Sequence, residues 1–199
     1  MGQRNEEQRA DRMDEIMDAA VKLFAKKGYH ATSISDISKA VGLGRGALYY
    51  YILSKEDLLW EIHNRHVDPL LEATLQLERQ PLTAEEKLRA VSRQLIETIT
   101  TYLPYMIVFY REIGALSAER LAKLVEKRRA YEDSIERILR GGVRSGEWEI
   151  ENPRMCVLAF LGMYNWTFQW YNPQGPLGPH EIADSFFQLF LKGIQRRAS

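Results

Sequence analysis

The sequence predicts an all-α protein of about nine helices. Apolar residues recur at intervals of three and four along most of the chain, which is the spacing of one helix face. Helix-starting signals precede these stretches, for example the capping box of Thr83 and Glu86, and glycine or proline ends or interrupts them. With 199 residues, 45% of them apolar, the chain can form one large domain or two small ones around a hydrophobic core.

Two helices are predicted before residue 43. The first runs over about residues 9–27, with residues 1–8 frayed, and its apolar side chains form one stripe. The second is short, with Thr32 or Ser33 as its N-terminal cap. Gly42 ends this helix at a position where a residue with positive φ is wanted.

A third short helix begins near Arg45 and gives way near Tyr51, and Ser54 then caps a fourth helix that starts at Lys55. The second and third helices are joined by a short turn that contains glycine. This is the helix-turn-helix pattern, in which the second helix enters the major groove of DNA. We therefore predict that residues 28–58 form a DNA-binding module.

The fourth helix is predicted to continue beyond this module, with a kink or break at Pro69. Five more helices follow. The sixth, from Tyr105 to about Glu112, is apolar on every face, so we expect other elements to surround it. The starts of these five helices are marked by Thr83, Pro104, Ser117, Pro153 and the end of the proline-rich loop at 172–179.

An uncharged run covers residues 155–172. As a membrane span it is short and contains Asn165, Thr167 and Gln169, so a buried helix at a dimer interface is the favoured interpretation. The last helix carries apolar residues on two faces, and the face that its own core does not use implies a partner.

Charge supports the DNA-binding prediction only locally. The formal net charge is zero, but residues 22–55 contain six basic residues and one acidic residue, Asp36. The single cysteine, Cys156, lies in an apolar run and is predicted to be a buried, inert thiol. The N-terminal segment is charged and lacks the apolar stretch that a signal peptide contains, so we expect a cytoplasmic protein.

The segment GLGRGALYYYILSKEDLL, preceded by TSISDISKAVG, closely resembles the signature of the tetracycline-repressor (TetR) family of bacterial transcriptional regulators. The resemblance implies an all-helical, two-fold symmetric dimer without a cofactor. It implies a DNA-binding domain at residues 1–53 and a ligand and dimer domain at residues 54–199, linked by the helix from Ser54. In this family the last two helices pair with those of a second copy. The residues expected at this interface are Trp170, Phe186, Phe187, Phe190, Leu191 and Ile194.

Within the module, Arg45 is expected to read a guanine edge through two hydrogen bonds, and Gly46 to let the backbone approach the groove. By resemblance, Tyr49 and Tyr50 contact phosphates and thymine methyl groups. Two features depart from the family pattern: Ala47 replaces a common threonine, and Ile52 replaces a common phenylalanine. Three further residues are expected to contact phosphates: Lys55, Thr32 and Ser33.

Residues 110–184 resemble the branch of the family that responds to acyl-CoA in fatty-acid and sterol breakdown. The resemblance implies an acyl-CoA effector, with Arg128 directed toward its phosphates. Arg128 has two other interpretations: its stem lies on the core, or it pairs with Glu112 or another acid. The residues expected around the acyl chain are Met106, Phe109, Met163 and Trp166, although each of them also fits a purely structural core position.

Several alternatives stay open from the sequence. One alternative is that the effector is an aromatic or cationic drug, because Trp166 and Tyr164 could bind it through cation-π contacts. Another is that the protein has no effector. An enzyme has no support, because we find no catalytic triad order, phosphate loop or clustered metal ligands. His63 and His66 lie three residues apart, a spacing that suits metal ligands, but solvated or pocket-lining histidines are favoured.

Overall fold

The computed structural model describes residues 2–194, with side chains from residue 6 onward. Its regular elements are helices, which confirms the predicted fold class. The α-helices are α1 (Gly2–Lys27), α2 (Ile34–Ala40), α3 (Arg45–Tyr49), α4 (Lys55–Arg79), α5 (Ala84–Thr101), α6 (Leu103–Glu112), α7 (Ala118–Ser145), α8 (Pro153–Asn165), α9 (Thr167–Trp170) and α10 (Pro179–Ile194), with a 3-10 helix at Ile113–Ala115.

Three features of these helices differ from the sequence predictions. Helix α1 begins at Gly2 instead of near residue 9. Helix α4 continues through Pro69, so the alternative of a break there is wrong, while the kink stays a prediction. The uncharged run forms two helices, α8 and the four-residue α9, which meet at Trp166. Within residues 2–194 no helix combines the length and apolar character needed to cross a membrane.

The chain forms two compact units. Unit 1 comprises the residues up to Arg65 together with Pro104–Arg120, and unit 2 comprises His66–Leu103 and the residues from Leu121 onward. This division differs from the sequence-based boundary at residue 53, because residues 55–65 of α4 and all of the segment 104–120 belong to the first unit. Leu58, Leu59 and Ile62, on that part of α4, are fully buried.

The core of unit 1 is built from the apolar stripes of its helices, among them Phe24 of α1, Ile37 of α2 and Leu48 of α3, all essentially inaccessible to solvent. Gly28 and Gly42 both have positive φ, of 84° and 66°, where the chain leaves α1 and α2. A side chain would be strained in this backbone conformation, so the two glycines fix where the helices end.

The core of unit 2 is formed largely by α5, α8 and α10. Ser92 of α5 lies 2.6 Å from the Tyr164 hydroxyl of α8 and donates a 3.1 Å hydrogen bond to the Ala183 carbonyl of α10. The rings of Phe160 and Tyr164 pack with their centroids 4.4 Å apart. One buried serine thus joins three helices, and its polar group is satisfied inside an otherwise apolar core.

Gly142, in the last turns of α7, allows the buried Trp148 to pack directly on the helix. A Cβ atom at residue 142 would lie 2.3 Å from the nearest ring atom of Trp148. We expect Gly142→Ala to lower the free energy of unfolding by about 1–3 kcal/mol, because the indole must move in a packed core. Gly141→Ala is the control, since its Cβ would meet no atom within 4 Å. Denaturant unfolding of both variants tests this, and equal stabilities would contradict it.

Candidate nucleic-acid interface and effector domain

Helices α2 and α3 form the predicted helix-turn-helix, and local hydrogen bonds fix the turn between them. The Ser38 hydroxyl donates to the Leu43 carbonyl at 2.5 Å, and Gly42 supplies the positive φ that reverses the chain. Leu48 and Ile52 anchor the recognition helix α3 and the residues that follow it in the core of unit 1. The orientation of α3 is therefore fixed by buried contacts, so its opposite face is free to meet DNA.

The exposed face of α3 carries the predicted base-reading residues. Arg45 is its first residue and is exposed, as is Gly46. Tyr49 and Tyr50 are 44% and 69% exposed. The structure thus places an arginine and two phenols on one short surface, while Tyr51 is half-buried. Their contacts with DNA stay a prediction.

One of the predicted phosphate contacts is wrong in its geometry, and a second involves a side chain that also makes contacts within unit 1. Thr32 is buried, and its hydroxyl donates a 2.8 Å hydrogen bond to the Gly28 carbonyl, so it closes a turn instead of facing solvent. The Lys55 ammonium donates to the Tyr29 carbonyl at 2.8 Å and lies over the Tyr29 ring, 4.6 Å from its centroid. These contacts hold the Lys55 side chain of α4 on unit 1, and its binding to a DNA phosphate stays a prediction.

Ser33 is exposed and caps α2 through a reciprocal capping box with Asp36. The Ser33 backbone N–H and hydroxyl both donate to the Asp36 carboxylate, at 2.9 and 2.8 Å. These bonds lower the pKa of Asp36 from 3.8 to about 2, and the bond from the backbone N–H has the largest effect. The nearby Lys27 lowers the pKa further.

We expect Ser33→Ala to destabilise the protein by about 1 kcal/mol at neutral pH, because α2 loses its cap. The folded-state pKa of Asp36 is depressed, so its contribution is present above pH 3.8 and is lost as the pH falls toward 2. Thermal unfolding of the wild type and Asp36→Asn as a function of pH tests this. A stability difference that persists undiminished at pH 2 would contradict it.

Helix α6 belongs to unit 1, where three contacts attach its segment to the DNA-binding helices. The Tyr105 hydroxyl donates to Asp18 of α1 at 2.5 Å, and the Ser117 N–H donates to Glu56 of α4 at 2.8 Å. The Phe109 ring stacks on the buried His63 of α4, with centroids 4.1 Å apart. Met106, predicted with Phe109 to line an acyl pocket, is likewise buried in this unit. Both residues thus pack in the unit that contains the DNA-binding helices.

The two histidines of α4 are buried, which rules out solvated side chains but leaves the pocket-lining alternative open. His63 belongs to unit 1, whereas the His66 ring stacks on Tyr102 in unit 2, with centroids 5.9 Å apart. Across the described residues no three histidine, cysteine or carboxylate side chains cluster in a way that would hold a metal ion. Cys156 is half-buried, and this burial raises the pKa of its thiol.

Arg128 pairs with Glu132 one turn later on α7, at 2.8 Å, and not with Glu112. Glu132 is almost completely buried and also binds Arg154 of α8. The Arg128 side chain itself is 70% exposed. A buried carboxylate thus receives two arginines, which joins α7 to α8 and explains an arginine within the apolar stripe of α7.

The interior of unit 2 contains polar groups that the sequence did not reveal as a site. The Tyr131 hydroxyl of α7 and the Thr167 hydroxyl of α9 are buried, and neither has a hydrogen-bond partner among the described residues. Burial raises the pKa of Tyr131, so its phenol stays protonated at neutral pH. The Thr74 hydroxyl partly opposes this rise, but it lies outside hydrogen-bond geometry with the phenol. Buried hydroxyls in proteins are normally satisfied, so these two are candidates for binding a ligand.

A separate cleft of about 210 Å³ lies between α4 and α5. Its polar lining includes Gln94, Glu97, Thr98, Thr101 and Tyr102. The side-chain oxygen of Gln94 is buried there without a hydrogen-bond partner in the described part of the chain. The amide oxygen and carboxylate make this cleft an acceptor-rich site, suited to a ligand that donates hydrogen bonds or carries positive charge.

Helix α8 carries an exposed apolar stripe. Met155, Leu158, Gly162 and Trp166 follow one another at intervals of three or four, and all are exposed. Trp166 is 64% exposed, so the prediction that it lines an internal pocket is wrong for the single chain, whereas Met163 is half-buried.

The predicted dimer residues divide into two groups. Phe187, Leu191 and Ile194 are buried in the core of unit 2, so their prediction as interface residues is wrong. Trp170 is 44% exposed, and Phe186 and Phe190 are half-buried. Leu189 of α10, which the sequence analysis missed, is 66% exposed. Because the apolar residues of α10 fall on two faces, spacing alone could not show which face its own unit covers.

Comparison with known proteins decides the family. The sequence pattern described as "Bacterial regulatory proteins, tetR family" matches residues 16–62, and "Tetracyclin repressor-like, C-terminal domain" matches residues 81–194. The chain belongs to the TetR family. Both descriptions are of transcriptional regulators, so this TetR-family protein is a DNA-binding regulator of transcription and not an enzyme.

Three relatives extend this assignment. The HTH-type transcriptional repressor KstR2 of Mycolicibacterium smegmatis is 28% identical over 189 residues, which cover 94% of this chain and 92% of that protein. The TetR-family regulator PfmR of Thermus thermophilus aligns with a TM-score of 0.82 and 32% identity, over 91% of this chain and 99% of that one. AibR, solved with isovaleryl coenzyme A and operator DNA, aligns with a TM-score of 0.75 and 28% identity, over 89% and 97% of the two chains.

Proposed function

We propose that this TetR-family regulator represses transcription as a homodimer on a palindromic operator, and that an acyl-CoA thioester bound within unit 2 releases it. The observation that carries the effector proposal is the pair of buried, unpartnered hydroxyls of Tyr131 and Thr167. Leaving such a group unsatisfied costs roughly 1–3 kcal/mol, so a ligand that supplies a partner recovers this energy on binding.

The chemistry of these groups suits a thioester. Because burial keeps the Tyr131 phenol protonated, it can donate a hydrogen bond to a carbonyl oxygen. Ile135 of α7 and Val157 of α8 are likewise buried in unit 2, and apolar side chains of this kind suit an acyl chain. The binding of isovaleryl coenzyme A by AibR supports the same ligand class here.

The dimer proposal is supported by the exposed apolar stripe of α8 and by Leu189 of α10. An apolar surface of this kind on a single chain indicates a partner, and a second copy presents the same stripe about a two-fold axis. Two copies would place two α3 helices on successive major grooves of a palindromic operator, roughly 34–36 Å apart or a multiple of that distance.

Helix α4 provides the route between ligand and DNA. Its residues 55–65 belong to unit 1 and its remainder to unit 2, so one continuous helix enters both. A ligand that binds only one conformation of unit 2 can therefore change the population of the DNA-binding arrangement through this helix. Release then follows from differential affinity, without a chemical step.

The α4–α5 cleft supports a second candidate effector, a cationic or amine-bearing compound. Gln94 and Glu97 offer acceptor oxygens, and the Tyr102 ring lies beside them in the lining. A cation in this cleft would gain both a charge partner and an aromatic neighbour. The two candidates differ in the sign of the ligand charge, so one screen separates them.

Ligand-induced stabilisation tests the proposal. We expect acyl-CoA thioesters to raise the melting temperature of the wild type, and free CoA to raise it less, since binding to the folded state stabilises it. Tyr131→Phe should reduce this shift, whereas Tyr171→Phe, a half-buried control in unit 2, should not. Stabilisation by a quaternary ammonium compound alone would favour the second candidate. Stabilisation by none of these compounds would contradict an effector of either class.

A further inference from the structure

Arg9 of α1 lies beside the DNA-reading surface, outside the basic segment that the sequence singled out. Its guanidinium carbon is 5.4 Å from the centroid of the Tyr50 ring, in a cation-π contact. Both side chains are exposed, and Tyr50 directly follows the recognition helix α3. A positive charge is therefore held at the end of α3 by one of the two exposed phenols.

The neighbouring turn of α1 is fixed to the helix-turn-helix by Arg12. The Arg12 guanidinium donates a 2.8 Å hydrogen bond to the carbonyl of Val41, at the end of α2, and also pairs with Glu15. Residues three apart on a helix share a face, so Arg9 lies on the side of α1 that faces the turn. Its place beside Tyr50 is thus set by a second, independent contact.

Three other cations near this surface make contacts within the protein. Lys55 is bound by the Tyr29 carbonyl, Lys27 lies 3.5 Å from Asp36, and Arg12 binds Val41 and Glu15. The ion pairs formed among side chains 6–194 do not include Arg9. Its charge is therefore available to an external anion.

We propose that Arg9 binds a backbone phosphate of DNA, with the Tyr50 ring as the platform that orients its guanidinium. This proposal rests on DNA binding through α3, as in the proposed function, and adds a contact from α1. A guanidinium can bind a phosphate through two hydrogen bonds, and the Tyr50 hydroxyl can donate to the same strand. The contact positions the protein on DNA without reading sequence.

The salt dependence of binding tests this proposal. The probes are an operator duplex selected from a random pool by the wild-type protein and a scrambled duplex of the same length, and anisotropy gives the affinity at several KCl concentrations. We expect Arg9→Ala to reduce the slope of log affinity against log salt by about 0.9 for each chain bound, on both duplexes. Arg9→Lys should keep most of the slope. Tyr50→Phe should weaken binding but leave the slope unchanged.

Arg144→Ala, which removes an exposed arginine of unit 2, is the matched control and should leave the slope at its wild-type value. If Arg9→Ala keeps the wild-type slope, the proposal is overturned, even if the affinity falls. Arg9 would then only hold Tyr50 in place and would not bind a phosphate. Failure of the wild type to select an operator would count against the proposed function. The slopes on the scrambled duplex would still decide the role of Arg9.

Discussion

Leu158→Glu is expected to convert the protein to a monomer and to weaken operator binding by about 10²–10⁴-fold. Leu158 lies in the middle of the exposed stripe of α8, so a carboxylate there would be buried against the second copy without a partner. The loss in affinity follows because each chain would then bind one half-site alone, without the high effective concentration that the dimer gives its second contact.

Light scattering coupled to gel filtration measures the first effect, since a monomer has the 23.1 kDa mass of one chain. Leu82→Glu is the control: Leu82 has a similar exposure, 38% against 40%, but precedes α5 and lies outside the stripe. A Leu158→Glu variant that keeps both the dimer mass and the wild-type operator affinity would place the interface elsewhere.

Arg45→Ala is expected to reduce discrimination at one base position of each half-site by about 1–3 kcal/mol, or roughly 5- to 150-fold in relative affinity. Arg45 begins α3, is exposed, and is held by a helix whose opposite face, at Leu48, is fully buried. The rigid support makes the direction of the guanidinium reproducible, as bidentate recognition of a guanine edge requires.

Affinities for a set of operators with single base changes measure this effect. The wild type should reject changes at one position that Arg45→Ala tolerates. Lys39→Ala, which removes an exposed cation from α2, should instead weaken binding to all these operators about equally. An Arg45→Ala variant with the wild-type order of preference would remove Arg45 from base reading.

The helices and the outward face of the recognition helix could be predicted from the sequence, because caps, glycine stops and helical spacing are local signals. Ser33, Asp36 and Gly42 act as their chemistry indicates. The roles of Thr32 and Lys55 could not be predicted in this way. Their hydroxyl and ammonium groups are bound by the carbonyls of Gly28 and Tyr29, contacts that arise only when the chain folds.

Helix α6 shows a second limit of sequence reasoning. Its all-round apolar character correctly indicates burial, but not the unit in which it is buried. The contacts of Tyr105 with Asp18 and of Phe109 with His63 join residues 87 and 46 positions apart in the chain. The spacing within α6 contains no information about such partners, so a pocket position and a packing position look identical in sequence.

The unsatisfied buried hydroxyls could not be predicted from the sequence either. Tyr131 fits the apolar stripe of α7 as an ordinary core residue, and Thr167 lies in an uncharged, largely apolar run. Neither position differs in sequence from a purely structural one. What distinguishes them is the lack of a hydrogen-bond partner among the described residues, which only coordinates can show.

Titration of the operator-bound protein with acyl-CoA thioesters, followed by fluorescence anisotropy of the DNA, tests the coupling between effector and operator directly. We expect a thioester to release the operator and free CoA to release little of it. Operator DNA should reduce the affinity for the thioester by the same factor, because coupling between two binding sites is reciprocal. Operator binding unchanged at saturating thioester would contradict this coupling.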